Sequence, residues 1–296
     1  MWFHPERLRL APDPEDARRR FDRLVEAGVG GYGDPDVADV MWIACTQAPY
    51  LATLAVRDPA RLVQAADDPF LRREKPRERI AAELAEAVAG AADAPALMRA
   101  LRAYRAREYI RLGARECGLG DPAEVGRELS ALADAALAAA LAFHDAELAA
   151  LHGEPRDERG RAEMVVMGMG KLGGEELNFS SDVDLIFVYS SDAGGAGPLS
   201  LHEYFDKLAR RVARTIGEAT EDGAVFRVDL RLRPEGTRGT LVNALPSLER
   251  YYESWGRPWE RQAWLKARPS AGSAALGEEL LATLRPFIYP RTTTGG

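Results

Sequence analysis

Asp182 and Asp184 stand one residue apart at the head of an apolar run, within 168-GMGKLGGEELNFSSDVDLIFVY-189. Side chains alternate across an extended strand, so residues two apart share a face. Two carboxylates on one face repel each other, and repulsion raises a carboxyl pKa. A divalent cation removes the repulsion, and aspartate oxygens together with substrate phosphate oxygens are the usual ligands of Mg²⁺. A third carboxylate follows in 224-AVFRVDLRLRP-234, where Phe226, Val228, Leu230 and Leu232 alternate with Arg227, Asp229, Arg231 and Arg233. If that segment is a strand beside the first, three carboxylates converge with arginines around them. Such a set can hold one or two Mg²⁺ ions. A pair, about 3.5–4 Å apart, clamps the attacking and leaving oxygens of a phosphoryl-type transfer. Gly173 and Gly174, just upstream, let backbone N–H groups approach a phosphate closely. Asp182, Asp184 and Asp229 are therefore the candidate metal-binding and catalytic residues. The histidines His4, His144, His152 and His202 are remote from the motif in sequence and read as surface or helix-face residues.

The elements that must position these groups fall into two styles. Residues 1–160 read as helical, with Pro and Gly punctuating Ala/Leu/Arg/Glu-rich segments. In 121-DPAEVGRELSALADAALAAALAFHDAELAALHG-153, Asp121 can cap, Pro122 suits the first turn and Glu124 takes the capping-box position. Leu129, Leu132, Ala136, Ala140, Phe143 and Leu151 approximate one apolar stripe, and Gly153 is a stop signal. In 97-LMRALRAYRAREYIRLGARECG-118 a charged residue, Glu108, shares a stripe with Leu97, Leu101, Tyr104 and Leu112. It is expected to pair with Arg105 or Arg111, or to contact a second domain. The polar 154-EPRDERGRAE-163 reads as a linker. After it come a short strand over 163–170, a strand over 183–190 and a helix from Ser200 to about Asp222, with Ser200 and Glu203 in a capping-box pattern. The 224–234 strand follows, then helices over 246–252, 258–268 and 272–287. The expected fold class is α+β: an all-helical domain over 1–160, a mixed-sheet domain over 161–270, and a helical segment over 271–296.

Composition excludes several function classes. The net charge of −7 argues against a general nucleic-acid binder, which needs a positive phosphate-binding surface. No run of about 18 apolar residues is present, so no membrane span is expected, and the first residues lack signal-peptide order. Cys45 and Cys117 are the two cysteines, too few for a disulfide framework or zinc site. A reducing cytoplasm fits. Lysine occurs at Lys75, Lys171, Lys207 and Lys266 alone. Trp255, Trp259 and Trp264 are expected in the core rather than as adenine-stacking platforms.

The order Gly-Gly, Asp-x-Asp, then Asp on a later strand resembles the polymerase-β-type nucleotidyltransferase superfamily. The longer stretches 168-GMGKLGGEELNFSSDVDLIFVY-189, 226-FRVDLRLRPEG-236 and 249-ERYYESWGRPWERQAWLKARP-269 resemble a narrower family, the bifunctional glutamine synthetase adenylyltransferase/deadenylylases. Members carry two such domains in tandem. Glu-Leu-Asn-Phe before Ser-Ser-Asp, with Arg-Val-Asp-Leu-Arg-Leu-Arg-Pro, looks like the N-terminal, deadenylylating half. The resemblance thus implies a fragment of a longer enzyme, and a polymerase-β-like fold for the 161–270 domain. It implies phosphorolysis: inorganic phosphate attacks the α-phosphorus of an AMP carried on a glutamine synthetase tyrosine, releasing ADP. The adenylylating direction, with ATP as donor, shares the same metal site. A non-catalytic docking module for glutamine synthetase or the PII signal protein is a further alternative, disfavoured by the intact carboxylates.

Within that resemblance Asp182, Asp184 and Asp229 match the metal carboxylates. Gly173 and Gly174 are expected to bind phosphate oxygens, with a hydroxyl from Ser181 or Ser180. Lys171 either pairs with phosphate or is a solvated turn lysine. Arg231 and Arg233 either bind the incoming phosphate or AMP, where the guanidinium fork suits oxyanions, or balance the aspartates. Lys266 and Arg268 are similar to family positions. The implied partners are adenylylated glutamine synthetase, PII, phosphate and ADP or ATP, with no nucleic acid and no membrane.

Overall fold

A computed structural model describes residues 5–290 of the chain. His4, and residues 291–296 of the expected C-terminal helical segment, lie outside the described residues. After a 3₁₀ turn at Pro5–Leu10 come α1 (Pro14–Glu26), α2 (Pro35–Thr46), α3 (Pro49–Arg57), α4 (Ala60–Ala66), α5 (Arg77–Val88), α6 (Ala94–Ala114) and α7 (Pro122–His152). Their starts are written locally. Asp13, Asp34, Asp93 and Asp121 each accept a backbone N–H from the first turn, and each helix has Pro there, the pairing that satisfies an orphan donor and pre-sets φ.

The remaining elements are β1 (Arg156–Asp157), β2 (Gly160–Arg161), β3 (Met164–Gly168), the single turn α8 (Gly170–Gly173), β4 (Val183–Tyr189), β5 (Gly195–Ala196), β6 (Leu199–Ser200), α9 (Leu201–Gly217), β7 (Val228–Asp229), β8 (Val242–Ala244), α10 (Leu245–Ser254), α11 (Pro258–Trp264), β9 (Arg268–Gly272) and α12 (Ala274–Ile288). The main sheet runs β7-β4-β3-β9, with β8 also on β4. β3 is antiparallel to β4 and β9, while β7 and β8 lie parallel to opposite ends of β4. The fold is α+β, as the sequence predicts.

Alternation along β4 decides what each face meets. Val183, Leu185, Phe187 and Tyr189 join α7 and α9 in one core that extends back to Leu8. Ile186 and Val188 join Leu248, Trp264, Leu280 and Leu284 of α10–α12 in a second. The sheet is thus covered on both faces.

Four local expectations need correction. The polar 154–163 stretch is not a free linker. Its β1 and β2 pair with β5 in a small antiparallel sheet, so the 160/161 boundary falls inside β2. The helix expected over 258–268 stops at Trp264, and Arg268 opens strand β9. β9 pairs with β3, so the 270/271 boundary also falls inside a strand. The strand expected over 224–234 shrinks to Val228–Asp229, because the Asp229 carboxylate captures the Arg231 N–H at 2.8 Å and turns the chain. Phe226, Val228 and Leu230 consequently pack on the α7–α9 side, but Leu232 on the other. The α7 stripe ends at Leu148, buried, whereas Leu151 is exposed.

Glu108 is fully buried, and its partners are Arg111, Lys75 and Arg107 rather than Arg105. Lys75 Nζ sits among Asp68, Glu83 and Glu108 at 2.6, 3.0 and 3.0 Å. Among the described residues these three form the one carboxylate group whose oxygens all lie within 4.8 Å of one another. An ammonium, tethered in the chain, already sits at its centre, with Arg79, Arg107 and Arg111 pairing Glu83 and Glu108 as well. His144, expected on a surface or helix face, is buried between α7 and α9, bonded to Glu147 and Thr215. Helix α7 has the length and apolar composition of a membrane span, yet 61% of that window is buried inside the protein. It is a core helix.

Candidate active site

Asp184 and Asp229 are directly opposed across the parallel β4–β7 pair. Asp182 precedes β4 by one residue and, by alternation, shares the face of Asp184. That is the α10–α12 face, since Ile186 and Val188 follow with the same parity. The sheet therefore brings together the three predicted carboxylates, each half-buried, at the start of β4. They do not close into a tight cluster. Arg227 Nε binds Asp182 Oδ1 at 2.5 Å. Arg231 grips both oxygens of Asp229, its Nε at 3.0 and 2.8 Å.

Burial, then the charges of Asp229 and Asp182, push the Asp184 carboxyl above its usual range. The Arg231 hydrogen bonds hold Asp229 below its own. The site thus pairs a carboxylate that has no ion pair among the described residues with two that are held by long, exposed arginines. Hard oxygen donors on one face, one of them crowded by the charges of the other two, fit Mg²⁺. Asp182, Asp184 and Asp229 are the residues that would hold it.

The glycine motif divides its tasks. Gly170 adopts φ +53°, and a Cβ there would lie 2.9 Å from Asp184 Oδ2. Its missing side chain keeps the carboxylate open. Sequence reading passed over this residue, although its place directly after an apolar strand was a usable signal. Gly173 serves packing: a Cβ would sit 2.0 Å from the Lys266 carbonyl oxygen. Gly174 is exposed beside Glu176 and Lys266.

The other candidates are distributed around this turn. The hydroxyls of Ser180 and Ser181 donate to Asn178 Oδ1 at 3.2 and 2.7 Å, closing the loop before Asp182. Lys171 is exposed. Lys266 pairs with Glu176 across the glycine turn. Arg268 braces that turn from β9: Nη2 donates to the Leu172 carbonyl at 3.1 Å, and Nη1 meets Asp134 of α7 at 2.8 Å. Arg77 of α5 bridges Asp134 to Glu175. Arg233 makes no ion pair among the described residues and donates to Leu230 O at 2.6 Å and Gly239 O at 3.4 Å, holding the 230–239 loop shut. Trp264 is buried and donates Nε1–H to Tyr252 at 2.8 Å, as expected of a core residue. Trp255 and Trp259, expected in the core, are 74% and 43% exposed.

Known proteins define the class to which this arrangement belongs. Residues 39–283 match the family model described as glutamate-ammonia ligase adenylyltransferase, and the chain belongs to that family. Among its relatives is the bifunctional glutamine synthetase adenylyltransferase/adenylyl-removing enzyme of Thioalkalivibrio sulfidiphilus, 41% identical over 98% of this chain and 29% of its own. The enzymes of the same name from Burkholderia pseudomallei and Xanthomonas campestris are 44% and 46% identical, over 86% and 64% of this chain. The chain spans under a third of the length of these relatives.

Proposed function

We propose that the chain carries the adenylyl-removing activity: Mg²⁺-dependent phosphorolysis of adenylyl-tyrosine on glutamine synthetase, which yields ADP and the free tyrosine. The observation that carries this reading is the in-register pair Asp184–Asp229 with Asp182 on the same face. A phosphate oxygen forms a new P–O bond to the α-phosphorus of the attached AMP. The bond from phosphorus to the tyrosine oxygen breaks with its electron pair, and the phosphate proton ends on the phenol. Phosphate is already an anionic nucleophile, so no strong base is required. Histidine is not needed among the three aspartates. Bound Mg²⁺ supplies charge neutralisation at the oxygens that gain negative charge.

The chain's own residues orient and select. Asp182, Asp184 and Asp229 fix where positive charge is held. Arg231, exposed and ion-paired among the described residues with Asp229 alone, can exchange that carboxylate for a phosphate oxygen, because a guanidinium binds both in the same fork geometry. Gly170 leaves the space in front of Asp184 clear. The leaving phenolate has a reference pKa near 10, so positive charge nearby suffices to release it. The text Glu-Leu-Asn-Phe and Arg-Val-Asp-Leu-Arg-Leu-Arg-Pro favours removal of AMP. The family description as an adenylyltransferase favours the second reading, transfer of AMP from ATP to the same tyrosine. PII and glutamine synthetase are the partners this reading requires, and two unpaired cysteines suit a reducing cytoplasm.

The deciding experiment incubates the chain with adenylylated glutamine synthetase, Mg²⁺ and inorganic phosphate. Phosphate-dependent ADP is expected. A folded chain that makes none, yet consumes ATP to adenylylate the unmodified synthetase, reverses the direction.

A further inference from the structure

We infer that the cavity between the 231–238 loop and the α10–α11 corner is the seat of the nucleotide's base, a purine stacked on Trp255 and Trp259 with its phosphates directed toward Asp229. This rests on the proposed phosphorolysis and deepens it. The cavity measures about 780 Å³, within the range of roughly 300–1,000 Å³ that holds small ligands. Of the three tryptophans in 249–269, one is used in the core. The two exposed ones both line this cavity. Indoles left in water forgo burial, and base stacking is the recurrent use of such exposed rings beside arginine.

Charge points to the same occupant. Arg231, Arg238 and Arg257 line the cavity against a single carboxylate, Glu235. The Arg238 and Arg257 guanidinium groups make no ion pair among the described residues, unlike Arg227, Arg231 or Arg268. The wall is also a built one. Glu235 and Gly236 both hold φ +60°, and Arg233 staples the loop from behind. Arg231 belongs to the cavity and to the Asp229 carboxylate at once, so a phosphate displacing that carboxylate would lie at the junction of cavity and metal site. The neighbouring cavity of about 820 Å³, behind Arg233, is lined by Glu203 and Asp206 and has no Trp, Tyr or Phe. Its arginines, Arg210 and Arg233, are matched there by those two carboxylates, and it offers a base no Trp, Tyr or Phe to stack on.

The test is equilibrium binding of ADP with Mg²⁺ to the purified chain, alongside ribose 5-phosphate as a probe without a base. Trp255→Ala and Trp259→Ala are expected to weaken ADP binding about tenfold or more each and to leave ribose 5-phosphate unaffected. Trp255→Phe, which keeps a ring, is expected to retain most of the affinity. Arg238→Ala is expected to weaken both ligands. Both indoles are exposed, so circular dichroism of these variants should match the parent. Absence of ADP binding to the parent, or an unchanged Kd in the folded double alanine variant, overturns the site. So does an unchanged ADP Kd with a raised KM for adenylylated glutamine synthetase, which makes the indoles a protein-docking surface. Failure of the reaction itself reads differently: ADP then binds at the indoles while no phosphate-dependent ADP forms.

Discussion

Among the described residues Asp184 makes no ion pair, whereas Asp182 and Asp229 each have one, with Arg227 and Arg231. A cation bound at the three aspartates should therefore stabilise the parent chain. At a hundredfold excess over its Kd the gain is about 2.7 kcal/mol, visible as a rise in melting temperature with Mg²⁺. Asp184→Asn removes the unbalanced charge. Its melting temperature should be no lower than the parent's without metal and should not respond to Mg²⁺, while ADP formation falls by at least about 100-fold. A retained Mg²⁺ response would remove Asp184 from the metal site. Gly170→Ala tests the open space in front of it. The positive φ makes alanine cost more than about 1 kcal/mol, and the new methyl crowds Asp184 Oδ2. Activity should fall much further than stability, whereas Gly174→Ala, at an exposed position, should do little to either.

Helices α5, α6 and α7 are joined by charge as well as by apolar packing. Lys75, on the segment leading into α5, pairs with Asp68, Glu83 and Glu108, while Arg111 and Arg115 pair with Glu128 of α7. Burial alone would raise the Glu83 carboxyl, but Lys75, Arg79 and Arg107 bring it down to about 2. Glu108 is lowered by Arg111 and Lys75 against the same burial. A carboxyl depressed in the folded state stabilises above its unfolded pKa, and that contribution is lost as pH falls through the folded value. For Glu83 the window runs from about pH 4.5 down to about 2. Lys75→Met removes from Asp68 its one ion pair among the described residues, and from Glu83 and Glu108 one partner each, and should cost about 3–5 kcal/mol at pH 7. In urea denaturation the difference from the parent should narrow as pH drops through that window. A difference independent of pH would show that packing, not charge, accounts for the loss.

Over the whole molecule, the glycine turn hangs from both parts of the chain. Asp134 of α7 and Arg77 of α5 reach it through Arg268 and Glu175, and the β4 side chains facing α7 share a core with residues as early as Leu8. A segment cut at 161–270, the extent expected from sequence for a catalytic domain, loses α7 from one face and α12 from the other. Such a segment is expected to show no cooperative thermal transition by circular dichroism, whereas the chain through α12 melts as one unit. A cooperative transition in the shorter segment would establish it as an autonomous domain.

What was legible in the sequence was local. Asp121 and Pro122 placed the start of α7, the Ser200–Glu203 capping box placed α9, and period-two alternation aimed Asp182 and Asp184 to one side, because caps and pleats involve residues within a few positions of one another. The α+β class followed from the change in periodicity after residue 153. Tertiary structure alone decided the rest. Arg231 and Arg233, two apart in text, part company because Asp229 captures a backbone N–H and ends the strand. Arg268 reads as helical yet pairs with β3, since an edge position on a sheet is set by distant partners. Trp255 and Trp259 are chemically identical to Trp264, and only the corner between α10 and α11 leaves them in solvent. Gly170 reveals its purpose once Asp184 is seen to fill the space beside it. Sequence named the carboxylates by their spacing; which side chains surround them depends on contacts between residues far apart in the chain.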